Sequence, residues 1–151
     1  MFKKLILSII ISVLANAGTL KIDDKISAFS LPNQFDKIHT VGSEISMIVI
    51  TSKDESTDLV NEFLSSKESN YLDSHKAIFI NDISRVPSVA VKMFELPQMR
   101  DYKYEILLIY KEHSKKFIEK ENKVTVYLLK DGFVKDIKFI SSIDELEEVF
   151  K

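Results

Sequence analysis

Residues 124–150 read Val-Thr-Val-Tyr-Leu-Leu-Lys-Asp-Gly-Phe-Val-Lys-Asp-Ile-Lys-Phe-Ile-Ser-Ser-Ile-Asp-Glu-Leu-Glu-Glu-Val-Phe, and the fold is decided here. Residues 124–129 and 133–140 are β-prone runs separated by Asp131-Gly132, a dipeptide that supplies the two positive φ values of a tight type I′ turn. A β-hairpin is therefore expected. Ser142-Ile143-Asp144-Glu145 then opens a helix as a capping box, with Ile143, Leu146 and Val149 on its inner face.

Upstream, the pattern alternates between strand and helix. Residues 46–51 contain Met47-Ile48-Val49-Ile50, a short apolar run that suits a central strand buried on both faces. Leu59, Val60, Phe63, Leu64, Tyr71 and Leu72 recur at helical spacing, and the acids and hydroxyls of residues 54–58 can satisfy the first-turn amides. Ala77-Ile78-Phe79-Ile80 is a second buried strand that ends in Asn81-Asp82. Residues 86–96 read as a helix with Val89, Ala90, Met93 and Phe94 on one face, Pro87 in the first turn and Pro97 closing it. An alternating strand is the competing reading. The helix is preferred because consecutive parallel strands need a crossover between them. Residues 106–110 form a third strand, and the charged stretch 111–122 should be solvated. Before all of these, residues 26–41 suit a short hairpin around Pro32-Asn33, with Phe35, Ile38 and Val41 following the turn.

The N-terminus has a different composition. Lys3 and Lys4 precede an apolar run over residues 5–14, and Ala15-Asn16-Ala17 follows as a small-x-small site. These are the three parts of a cleavable signal peptide, residues 1–17, with cleavage after Ala17. The run is much shorter than the roughly 20 residues a membrane span needs. The expected product is one domain, residues 18–151, in the periplasm, meeting the membrane only during export.

Composition narrows the chemistry. The chain has 151 residues and no cysteine, although an exported protein is free to form disulfides. Without the leader it carries 19 Lys and Arg against 23 Asp and Glu with no basic block, so nucleic acid is not an expected partner. Glycine occurs only at positions 18, 42 and 132, which leaves neither a nucleophile elbow nor a dinucleotide-binding loop. The three histidines, His39, His75 and His113, lack ligand spacing. No metal and no cofactor are expected.

The order strand, helix, strand, helix, then a hairpin and closing helix resembles the thioredoxin fold. Phe29-Ser30-Leu31-Pro32-Asn33-Gln34 is similar to the opening of peroxiredoxin-like proteins, and Leu128-Leu129-Lys130-Asp131-Gly132-Phe133-Val134 resembles the strand-turn-strand these proteins share. The segment from Asp82-Ile83-Ser84-Arg85-Val86-Pro87 to Phe94 resembles the YtfJ family of periplasmic thioredoxin-like proteins. The resemblance implies an α/β thioredoxin-like fold: a central mixed sheet flanked by helices, with an N-terminal β-hairpin extension. It also places the redox site in the turn Thr51-Ser52-Lys53-Asp54-Glu55-Ser56, where active members have cysteine. Serine cannot replace a thiolate in disulfide exchange, so no thiol redox activity is expected. Asn122-Lys123 stands where active members have a cis-proline.

Two functions fit these residues. One is a non-catalytic scaffold for another exported protein. The other is a small-ligand binder or non-thiol enzyme using the turn from Ser52 to Ser56 with Arg85 and Lys123. Asp54, Glu55, Arg85 and Lys123 are its candidate binding residues, although Asp54 and Glu55 equally suit a helix cap. Met93, Phe94, Met99, Tyr102 and Tyr104 are read as core, with a partner groove as the competing reading.

Overall fold

The structure, a computed structural model, describes residues 18–52, 54–111 and 117–151. Residues 1–17, where a signal peptide is expected, Lys53 and His113 lie outside the described residues. Strands β1 (Phe29–Pro32) and β2 (Ile38–Val41) pair antiparallel as a separate hairpin. The main sheet contains β3 (Met47–Ser52), β4 (Ala77–Asp82), β5 (Leu107–Ile109), β6 (Val124–Lys130) and β7 (Phe133–Ile140), in spatial order β5-β4-β3-β6-β7. β3, β4 and β5 run parallel, and β6 and β7 are antiparallel to their neighbours. The apolar run at 47–50 forms the middle strand, as its composition predicts.

Helix α1 (Glu55–Ser65) and short α2 (Tyr71–Ser74) connect β3 to β4. The expected continuous helix breaks between them, where the Ser66 hydroxyl donates to the Phe63 carbonyl at 2.7 Å and competes with the helical ladder. Between β4 and β5 lie α3 (Ser88–Ala90), a π-helical turn (Val91–Glu95) and α4 (Leu96–Arg100). Because both crossovers step in the same direction across the sheet, right-handedness places them on one face. Val60, Phe63, Leu64, Val91, Leu96 and Met99 accordingly share one core cluster with Val49, Phe79 and Val126. The path from β5 to β6 serves the other face. There Phe117 packs with Ile48, Ile50, Ile80 and Tyr127 beneath the β1-β2 hairpin and Leu20. The stretch expected to be wholly solvated thus contributes a buried phenylalanine.

Tyr127 fastens that second face. Its hydroxyl donates to the Leu20 carbonyl and accepts from the Ile118 amide, both at 2.9 Å. Burial pushes its ionisation upward. The hairpin is fastened at the β5 edge, where fully buried Gln34 donates to the Tyr104 carbonyl at 2.8 Å and accepts from the Ile106 amide at 2.9 Å. Its turn runs further than expected: Asn33 Oδ1 accepts from the amides of Phe35 and Lys37, leaving Phe35 exposed in the turn. The β6-β7 turn has both expected positive φ angles, 53° at Asp131 and 83° at Gly132. Helix α5 (Ile143–Val149) starts at the Ser142 cap, whose hydroxyl accepts from the Glu145 amide at 3.2 Å.

Residues 88–100 correct the sequence reading in two respects. The helix continues past Pro97, and the side expected to pack inward faces out. Val89, Met93 and Phe94 are 65, 62 and 67% exposed, whereas Val91, Leu96 and Met99 are 3, 7 and 4% exposed. Proline has no N–H for the Met93 carbonyl and its ring crowds that carbonyl in an α-helix. The chain accommodates it by widening: the Leu96 amide donates to the Val91 carbonyl, an i→i+5 bond, and Pro97 falls in the first turn of α4. The inward positions are Val91, Leu96 and Met99, with the π turn setting the five-residue step from Val91 to Leu96.

Candidate functional site

The register brings polar residues together at one end of the sheet. Thr51 pairs with Asn81, and Ser52 with Asp82, so the apolar runs of β3 and β4 end in step. This is the C-terminal edge, where α/β sites form. Leaving β3, the chain turns into α1 through Asp54, whose extended backbone (φ −155°) makes it the N-cap. One carboxylate oxygen accepts from the Ser56 amide at 2.8 Å and from the Ser56 hydroxyl. The other accepts from the Asn122 amide at 2.9 Å, across 68 residues of chain. Asn122 has φ 59°, a left-handed conformation that asparagine tolerates better than most residues. The loop before β6 therefore sits beside the α1 cap, the juxtaposition that the resemblance implies for residues 52–56 and 122–123.

Behind the cap is a buried polar layer. The Thr57 hydroxyl donates to the Ser52 carbonyl and lies 3.1 Å from the Thr51 hydroxyl, which donates to Asn81 Oδ1 at 3.4 Å. Asp82, 4% exposed, accepts through Oδ1 from the Ser84 amide at 3.0 Å and the Ser84 hydroxyl at 2.6 Å. Thr125, next to Ile50 on β6, is buried with no hydrogen-bond partner for its hydroxyl among the described residues. Sequence reasoning missed this layer. Its signal was the polar pair closing each apolar run, Thr51-Ser52 and Asn81-Asp82.

The candidate residues divide by position. Asp54 is half-buried and has donors on both oxygens, and Glu55 is exposed in the first turn of α1. Lys123 follows Asn122, but its ammonium group donates to the Ser141 hydroxyl at 2.7 Å, toward the start of α5. Arg85 is exposed in the loop after β4. The histidines are also separated. His39 Nδ1 lies 2.6 Å from Glu105 Oε1 in the hairpin contact, and the His75 ring packs tilted against Tyr71 and edge-on to Phe150. The aromatic and methionine group splits likewise. Met99 and Tyr104 are core, and Tyr104 donates its hydroxyl to Asn61 at 2.7 Å, with burial pushing its ionisation upward. Met93 and Phe94 are surface.

A cleft of about 490 Å³ lies under the helical segment. Ser88, Lys92, Leu96 and Arg100, four residues apart in succession, form its helical wall. Ile83, Val86, Val91 and Tyr110 line the remainder, with Asp36 at the rim. A second cavity of about 490 Å³ includes His39, Glu105 and Leu72. Neither of these two cavities is lined by Asp54, Glu55, Arg85 or Lys123.

No protein-family model matches the chain, and no curated protein matches its sequence. Solved structures do match its fold. A candidate thiol:disulfide interchange protein DsbE from Chlorobium tepidum superposes with a TM-score of 0.58 at 13% identity, over 86% of this chain and 95% of that one. A candidate protein disulfide isomerase from Bacteroides thetaiotaomicron gives 0.57 at 12% identity, over 87% and 86%. Peroxidoxin BcpB from Mycobacterium tuberculosis gives 0.53 at 15%, over 87% and 94%. The chain has a thioredoxin-like fold: a five-stranded mixed sheet with helices and an N-terminal hairpin, and without cysteine.

Proposed function

We propose that the protein is exported to the periplasm, starts at Gly18 after cleavage, and serves there as a cysteine-free thioredoxin-fold scaffold that binds another exported protein. The observation that carries this reading is the outward side of residues 88–100. Val89, Met93 and Phe94 are all more than half exposed on one short helical segment. Neighbouring large apolar residues exposed in this way are a feature of interaction surfaces, whereas isolated ones need no explanation. The segment also overlaps the stretch that resembles the YtfJ family, which supports the periplasmic assignment.

The turn after β3 supports the same reading from the other side. Disulfide exchange passes through a mixed disulfide, which a chain without cysteine cannot form. The groups standing there are engaged with one another, since Asp54 caps α1 and holds Asn122.

Affinity capture from the exporting cell tests the proposal. The wild type should retain a discrete exported protein that Phe94→Ser and Met93→Ser lose while keeping native stability. Capture that is equal for wild type and both variants would contradict it. Mass spectrometry of the secreted product tests the processing step, and a retained Met1 in a membrane fraction would overturn it.

A further inference from the structure

We infer that the cleft beneath residues 88–100 receives a peptide segment of the partner that presents a bulky apolar side chain next to a carboxylate. This rests on the scaffold reading and specifies the partner's chemistry. Three observations lead to it. The cleft is of a size that takes a few side chains, about 490 Å³. Its lining includes apolar Ile83, Val86, Val91 and Leu96, which an aliphatic or aromatic group could pack against. Its charged lining is Lys92, Arg100 and Asp36, so cations outnumber the single carboxylate.

The cleft's own carboxylate is paired with Arg100, which leaves Lys92 as the lining cation that an incoming acid would meet. Asp36 Oδ2 lies 3.5 Å from the Arg100 guanidinium, and Arg100 also donates through Nε to the Gln34 carbonyl at 2.8 Å, so this cation is fixed in place by the hairpin turn. Lys92 stands two helical turns away on the same wall, with Leu96 between them. It is also three residues from Val89 and adjacent to Met93, so it borders both the cleft and the exposed apolar side. A partner lying across Val89, Met93 and Phe94 would meet the Lys92 ammonium where it enters the cleft. An acidic residue beside the inserted apolar one is complementary at that point. Lys92, Met93 and Phe94 all lie within the π turn. Such turns are frequent at functional sites.

Panning a random 12-residue peptide display library on the immobilised protein tests the inference. Enriched peptides should place Phe, Leu, Ile or Met beside Asp or Glu. A synthetic peptide of the enriched sequence should bind the wild type, weaken with added salt, and lose about tenfold or more in affinity to Lys92→Glu, the effect of reversing a charge that faces an acid. Ser88→Trp, an exposed position on the wall, should occlude the cleft and weaken binding without unfolding. Enrichment of basic peptides, no enrichment, or binding indifferent to both variants would overturn the inference. Binding lost in Phe94→Ser but retained in Lys92→Glu and Ser88→Trp would leave the scaffold reading standing and remove the acidic cleft ligand. Self-association abolished by Phe94→Ser would assign the surface to a second copy and contradict both.

Discussion

The turn after β3 and the helical segment 88–100 lie on the same fold and stand in opposite states. At the turn, polar groups bond to one another: Asp54 takes donors from Ser56 and Asn122, and Thr57 reaches the Ser52 carbonyl. On the helical segment, apolar groups face water, with Phe94 67% exposed above a cleft. In a thiol oxidoreductase the turn carries the reactive group. Here the turn's polar groups are bonded to one another, and the exposed apolar side lies on the crossover between β4 and β5. The difference teaches that the turn after the middle strand can be closed by its own caps while a neighbouring crossover leaves apolar side chains exposed.

Alkaline pH should remove the frame beneath both regions at once. Burial raises the ionisation of Tyr104 and Tyr127, so the folded state favours the neutral phenols. An unfolded tyrosine loses its proton near about 10, so this stabilisation is complete below that pH and is lost as pH rises past it. Circular dichroism of the two regions' common sheet should show stability falling above about pH 10, less steeply in Tyr127→Phe. A flat profile through pH 12 would break the account of the core.

Substitutions then separate the regions. Leu96→Ala, on the buried side of α4, should cost ~2–4 kcal/mol in urea unfolding, the usual cost of a core cavity. Asp54→Ala should cost ~1–2 kcal/mol through the lost cap and leave partner capture unchanged. Phe94→Ser should change stability by less than about 0.5 kcal/mol, as exposed positions do, while abolishing capture. The first two weigh on folding and the third on binding. If Asp54→Ala lost the partner at native stability, the assignment of the two regions would be reversed.

Much of the fold could be read in the sequence because its signals are local. Asp131-Gly132 specifies a turn, Ser142 with Glu145 specifies a helix start, and the apolar run at 47–50 can be satisfied only between two other strands. The helical segment was legible as a helix but not in its facing. The expected stripe assumes α-helical spacing throughout, whereas the π turn that accommodates Pro97 puts five residues between the inward Val91 and Leu96, and Val89, Met93 and Phe94 face out. The candidate site shows the same limit. Asp54 is recognisable as a cap, but its bond to Asn122 closes 68 residues of chain and depends on the arrangement of the whole sheet. The buried layer of Thr51, Thr57 and Asn81 follows from strand register, which the separate runs do not state.

Photocrosslinking in the cell that makes the protein compares the two regions most directly. A photoreactive phenylalanine analogue is placed at position 94 in one protein and at exposed position 55, beside the α1 cap, in another. The account predicts a discrete covalent adduct from position 94, diminished by Lys92→Glu, and none from position 55. An adduct from position 55 with none from position 94 would contradict it.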